Sequence, residues 1–125
     1  MDVELVRSYC MQKLSVTESF PFNDTALVFK VADKMFALLN LEYPQSINLK
    51  CDPAKALELR EEFEEIKPGY HMNKKHWNTL ELTGTLSNKL IEELIDHSYE
   101  LVVSKLTLKQ QRELNQDQTN EELLQ

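Results

Sequence analysis

Between Lys67 and Lys89 the chain gathers the side chains best suited to doing chemistry. Lys67, Lys74, Lys75 and Lys89 stand there against a single carboxylate, Glu81. Ammonium groups pair with phosphates, Asn73 and Asn78 can read or position polar edges, and Tyr70 or Trp77 can stack on an unpaired base. His71 and His76 flank Asn73 and add two imidazoles. The expected nucleic-acid-binding set is therefore Lys67, Tyr70, His71, Asn73, Lys74, Lys75, His76 and Asn78, a polar and locally cationic ridge. Lys30 and Lys34 extend it from an upstream hairpin.

Other chemistries find less in the sequence. The two histidines lack the spacing and companions of a motif such as HExxH, so a hydrogen-bonded structural role is preferred, with no metal or cofactor. His97 and Ser98 fall on adjacent helical faces and cannot serve one partner as base and nucleophile. Ser98 is expected to bond back to a helical carbonyl. A Gly-rich phosphate loop is missing, and the run Glu61, Glu62, Glu64, Glu65 reads as a solvated helix face. These features point away from an enzyme. Trp77 opens a strand pattern and is expected to fill the core.

The elements that must position these residues follow from periodicity. Asp2 to Leu14 repeats Leu5/Val6, Tyr9/Cys10 and Leu14 at helical spacing, with Asp2 as cap. Thr25 to Ala32 and Met35 to Asn40 read as a hairpin turning at Asp33-Lys34, and Ser46 to Cys51 as a third strand. Asp52-Pro53 starts a helix that runs to about Glu65, with Ala56, Leu57, Leu59 and Phe63 inward, and Pro68-Gly69 ends it. Trp77 to Leu82 alternates as a strand. Ser87 then caps the longest amphipathic helix, striped by Leu90/Ile91, Leu94/Ile95, Ser98 and Leu101/Val102, with Leu86 stapled on Ile91. Residues 1–109 form one domain, and the glutamine-rich stretch 110–125 is expected to fray. The order α-β(3)-α-β(1–2)-α defines an α+β class, a two-layer antiparallel sheet covered by helices.

Composition narrows the partners. The 125 residues are 42% hydrophobic and 28% charged, an ordinary globular balance. The net charge of −7 repels phosphates, so DNA can be met only through a local basic patch. Cys10 and Cys51 sit in apolar patterns without a CxxC pair and are expected as buried free thiols. No apolar run reaches the length of a membrane span, and a cytoplasmic location is expected.

The segment Pro68-Gly69-Tyr70-His71-Met72-Asn73-Lys74-Lys75-His76-Trp77-Asn78-Thr79, followed by Asp96-His97-Ser98-Tyr99, is similar to the signature of the MmcQ/YjbR family. Phe29-Lys30-Val31, Lys34 to Ala37 and Ser46 to Asp52 add to a resemblance covering roughly residues 3 to 106. It implies the same helix and strand order, in a fold like that of secretion chaperones, and a sheet with hairpins like a double-wing DNA-binding motif. DNA binding is the leading expectation. A protein-interaction module is the rival, motivated by the acidic helix and a partly uncovered sheet face, and a small-molecule pocket lined by Tyr70, His71 and Trp77 is the third.

Overall fold

A computed structural model describes the backbone from Met1 to Leu124 and the side chains as far as Gln116. The chain begins with α1 (Val3–Met11), whose Asp2 carboxylate accepts the Leu5 amide at 2.9 Å, as the capping pattern requires. Its buried side is Val6 and Cys10, one helical turn apart. The helix stops short of the expected Leu14. Ser15 then takes a left-handed φ of 59°, and the chain enters β1 (Val16–Ser19), a strand the sequence pattern did not reveal.

A four-stranded meander continues through β2 (Ala26–Val31), β3 (Lys34–Asn40) and β4 (Ser46–Lys50). Ala32 and Asp33 make the β2–β3 turn, both at positive φ, and Val31 faces Lys34. The turn thus sits one residue earlier than Asp33-Lys34, because two left-handed residues match the twist of the flanking strands. Register slips between Phe29, opposite Ala37, and Lys30, opposite Met35. The extra residue is Phe36, and both Phe36 and Ala37 are fully buried.

After Asp52, whose carboxylate caps the Lys55 amide, α2 (Pro53–Glu62) carries the chain along the sheet to β5 (Ile66–Pro68) and β6 (Trp77–Glu81). The six strands lie in the order β1-β2-β3-β4-β6-β5, each pair antiparallel. In α2 the buried residues are Ala56 and Leu59. Leu57, expected inward, is 59% exposed, since it lies on the outer side of a helix that covers only the narrow β5–β6 end.

The long α3 (Asn88–Ser104) is capped by Ser87 Oγ on the Leu90 amide and buries Ile91, Leu94, Ile95, Ser98 and Val102. It packs on β2, β3 and β4. One core lies between the helices and one sheet face, built from Leu27, Phe29, Phe36, Leu39, Ile47, Leu49, Ile66 and Leu80 beneath Val6, Ile91 and Ile95. The Phe36 and Tyr99 rings meet edge to face at 5.4 Å. This is the expected α+β class. The segment expected to fray from Gln110 is helical instead, in α4 (Leu108–Leu124). Thr107 Oγ1 accepts the Gln110 amide at 3.1 Å while Gln110 Oε1 accepts the Thr107 amide at 3.0 Å, a reciprocal cap, and Leu114 is buried.

Candidate functional site

Strand residues that alternate with the core positions point to the opposite face of the sheet. There Leu38 of β3, Asn48 of β4 and Trp77 and Thr79 of β6 face a cavity of about 580 Å³ or support its wall. Every residue lining this cavity comes from a strand or a loop, and none from a helix. Phe22, Asn23 and Thr25 close one side from the β1–β2 loop. Tyr70 to Asn73, in the β5–β6 loop, close the other.

The β5–β6 loop is held down by a polar clip. Thr79 Oγ1 donates to Asn48 Oδ1 at 2.5 Å and accepts the Tyr70 amide at 3.0 Å. Asn48 Nδ2 in turn donates to Met72 Sδ at 3.2 Å. Gly69 makes this crossing possible, because a Cβ there would stand 2.7 Å from the Cβ of Trp77. Beyond it His71 holds a left-handed φ of 58°, a conformation that costs a non-glycine residue about 1–2 kcal/mol. Its ring lies 4.0 Å from that of Tyr70, centroid to centroid.

Three carboxamides on the rim share one electrostatic feature. Asn23 Oδ1 accepts the Thr25 and Ala26 amides, Asn40 Oδ1 accepts the Glu42 amide, and Asn73 Oδ1 accepts the Lys75 and His76 amides. Backbone donors thereby fix each oxygen, and among the described residues no protein acceptor engages the three NH₂ groups. The cavity therefore offers N–H donors between aromatic and aliphatic walls. Glu42 is the one carboxylate in its lining, and no lysine lines it.

The residues expected to form a cationic ridge are distributed differently. Lys67 Nζ is bound to Glu81 Oε1 at 2.5 Å. Lys74 directs its ammonium to the Gly69 carbonyl at 3.4 Å, and its own carbonyl accepts from Arg60. Lys75 is exposed, and Lys89 stands on α3, in the helical layer. Asn78 is 1% exposed on the core side, accepting Arg60 Nε at 2.6 Å and donating to the Ala56 carbonyl, so it reaches no ligand. His76 uses its carbonyl to accept the Cys51 amide at 2.7 Å. Tyr70, His71 and Asn73 do come together, on the cavity. Trp77, expected in the core, is half-buried and belongs to the cavity wall as well. Sequence patterning missed Phe22, Met35, Leu38, Asn40 and Asn48; for the last four, positions alternating with core residues along β3 and β4 were the available signal, whereas Phe22 lies in the β1–β2 loop and had none.

Asp96-His97-Ser98-Tyr99 has a structural role. Asp96 accepts the Tyr9 hydroxyl at 2.8 Å and pairs with Lys13, tying α1 to α3. His97 Nε2 accepts the Asp52 amide at 3.2 Å, at the start of α2. Ser98, fully buried, does not bond back along its helix: its hydroxyl donates to the Phe36 carbonyl at 2.5 Å and accepts the Lys50 amide at 2.9 Å, because both groups are exposed toward α3 beside the bulge. Tyr99 donates to the Leu14 carbonyl at 2.7 Å. Burial pushes the Tyr9 hydroxyl and the Cys10 thiol each up to about 12, and both cysteines are free and buried, as expected.

The fold and site together define a small α+β protein with helices on one sheet face and a ligand-sized hollow on the other. The chain belongs to the YjbR family, whose model matches residues 11–101. It is 42% identical to YbdF of Escherichia coli O157:H7 over 94 residues, covering 74% of this chain and 77% of that one. It is 34% identical to YjbR of Escherichia coli K12 over 107 residues, 85% and 91% of the two chains. Among solved structures, the Deinococcus radiodurans protein DR2400, of domain family DUF419, superposes with a TM-score of 0.85 at 42% identity, over 90% of this chain and 87% of that one. No described helix is long and apolar enough to cross a membrane.

Proposed function

We propose that the protein is a binding module without catalytic activity, whose open sheet face takes a small, flat, uncharged molecule bearing hydrogen-bond acceptors. The observation that carries this reading is the 580 Å³ cavity, with Phe22, Tyr70, His71 and Trp77 as aromatic walls and the NH₂ groups of Asn23, Asn40 and Asn73 as donors. Its size and its mix of apolar surface with a few placed polar groups are those of small-molecule sites. A ring system between these walls would bury apolar area, while its carbonyl or ring nitrogen would meet the amides.

DNA binding is the second reading. In its favour, Lys74 and Lys75 stand on the same exposed loop as Tyr70 and His71, where a base could stack beside a paired phosphate. Against it weigh the Lys67–Glu81 pair and the net charge of −7.

Trp77 is the only tryptophan, so its fluorescence reports on this wall alone. Titrating a library of neutral heteroaromatic fragments is expected to give saturable changes with some members, and these should vanish in Leu38→Trp, read by thermal shift, because the larger ring fills the hollow. A library without one saturable binder overturns the proposal. So does saturation only by short single-stranded or duplex DNA with strong salt dependence, which would establish the second reading instead.

A further inference from the structure

A second cavity, of about 340 Å³, opens at the end of the sheet where β3 starts, β4 finishes and α3 ends. Lys34, Lys50 and Lys105 line it together with Met35, Val102 and Leu106. Three ammonium-bearing chains thus surround a floor of three apolar ones. This is unexpected in a chain of net charge −7. Arg7, Lys13 and Lys67 each have a carboxylate partner, whereas among the described residues none of these three lysines has one.

Local structure fixes the backbone at each position. Lys34 follows the tight Ala32-Asp33 turn, and the Lys50 amide is anchored to the buried Ser98 hydroxyl at 2.9 Å. Lys105 caps α3, its amide donating to the Val102 carbonyl. The partial negative charge of a helix C-terminus accounts for a cation at Lys105, yet it does not account for Lys34 and Lys50 arriving from two strands.

We propose that Lys34, Lys50 and Lys105 form an anion site for a small organic phosphate or carboxylate, its charged group held by the ammoniums and its apolar body set on Met35, Val102 and Leu106. The proposal does not depend on the open-face hollow, with which this cavity shares one lining residue, Met35. Burial and the nearby Lys105 both disfavour the charged form of Lys50, and a bound anion would oppose the second of these effects. A small ligand is favoured over a polynucleotide, because the chain carries a net charge of −7 and an extended polyanion meets more of that charge than a small one does.

The test uses phenyl phosphate as probe, with inorganic phosphate, benzyl alcohol and short duplex DNA beside it, followed by amide shifts in the NMR spectrum of the folded protein. Phenyl phosphate at up to millimolar concentration should shift Lys34, Lys50, Lys105 and Leu106 saturably. Benzyl alcohol should not, and inorganic phosphate should bind more weakly. Lys50→Met and Lys105→Met should each weaken binding on the order of tenfold, one charge-assisted hydrogen bond, while melting no lower than the parent. Leu38→Trp should bind as the parent does, which separates this site from the hollow. Absence of saturable shifts, equal affinity in the lysine variants, loss of binding in Leu38→Trp, or duplex DNA binding through these lysines in preference to phenyl phosphate would each overturn it.

Discussion

Replacing Thr79 by valine isolates the clip that holds the β5–β6 loop over the sheet. The two side chains have nearly the same volume, so packing is preserved and only the hydroxyl is lost. The Tyr70 amide and Asn48 Oδ1 each lose a partner, at 3.0 and 2.5 Å respectively. Were the loop to stay clamped, two orphaned groups would cost about 1–3 kcal/mol each. The loop has an alternative, because Tyr70 is 68% exposed and little apolar surface holds it down. Lifting it lets water satisfy both groups, which limits the loss to the net worth of two hydrogen bonds, about 1–3 kcal/mol. The lifted state is therefore expected to win, and the damage should be local. Native-state hydrogen exchange should speed at Tyr70 and Met72 by roughly ten- to a hundredfold, while amides of Ile47 and Leu80 keep their protection. Affinity for any open-face ligand should fall with it. Unchanged exchange at Tyr70, or equal acceleration across β4 and β6, would refute the view that this hydroxyl latches a separable loop.

Two further outcomes follow from groups on α3. Ser98→Ala removes the fully buried hydroxyl that serves the Lys50 amide and the Phe36 carbonyl, so urea unfolding should show a loss of about 2–4 kcal/mol; a loss below about 0.5 kcal/mol would mean the hydroxyl is not shared by the two strands. His97 has a pKa held below its ordinary 6.5, first by burial and then by Lys55, and its neutral ring accepts the Asp52 amide. A depressed folded pKa contributes stability that is present above the unfolded value and lost as pH falls through the folded one, so melting temperature should drop on acidification below about 6.5, and His97→Gln should flatten that dependence.

How much of this was legible in the chain depended on whether the deciding partner was near in sequence. The α3 stripe and its Ser87 cap are local, and the structure reproduces them residue for residue. Strand β1 was missed because four residues, Val16 to Ser19, carry too little alternation to stand out. The start of α4 was legible in principle: Thr107 and Gln110 have the spacing of a reciprocal cap, but the polar run after Leu114 outweighed them. The basic segment misled for a different reason. Glu81 lies fourteen residues beyond Lys67, yet antiparallel pairing sets Lys67 opposite Thr79, which brings Glu81 to the diagonal position on the same face. Counting charges along a chain cannot show such a neutralisation. Nor can it show Lys34, Lys50 and Lys105 converging, since their contacts are made only after the sheet and α3 have assembled.

The two family-like segments divide the labour of the molecule. Asp96, His97, Ser98 and Tyr99 each bind a different segment, namely α1, the start of α2, the β3 bulge with the end of β4, and the chain after α1. Groups so engaged have little capacity left for a ligand, and removing one exposes a buried partner without creating a site. The β5–β6 segment is arranged the other way. Gly69, Asn73 and Thr79 give their geometry or their oxygens to the backbone, and this leaves the Tyr70, His71 and Trp77 rings and the Asn73 NH₂ group on the cavity. A fold that needed only to persist could close its second sheet face with aliphatic side chains or another helix. Here the centre of that face holds Asn48 and Thr79, buried polar residues committed to positioning a loop, and the strained backbone of His71 is kept at the rim. Stability accounts for the first segment, and the recognition proposed for the open face would account for the second.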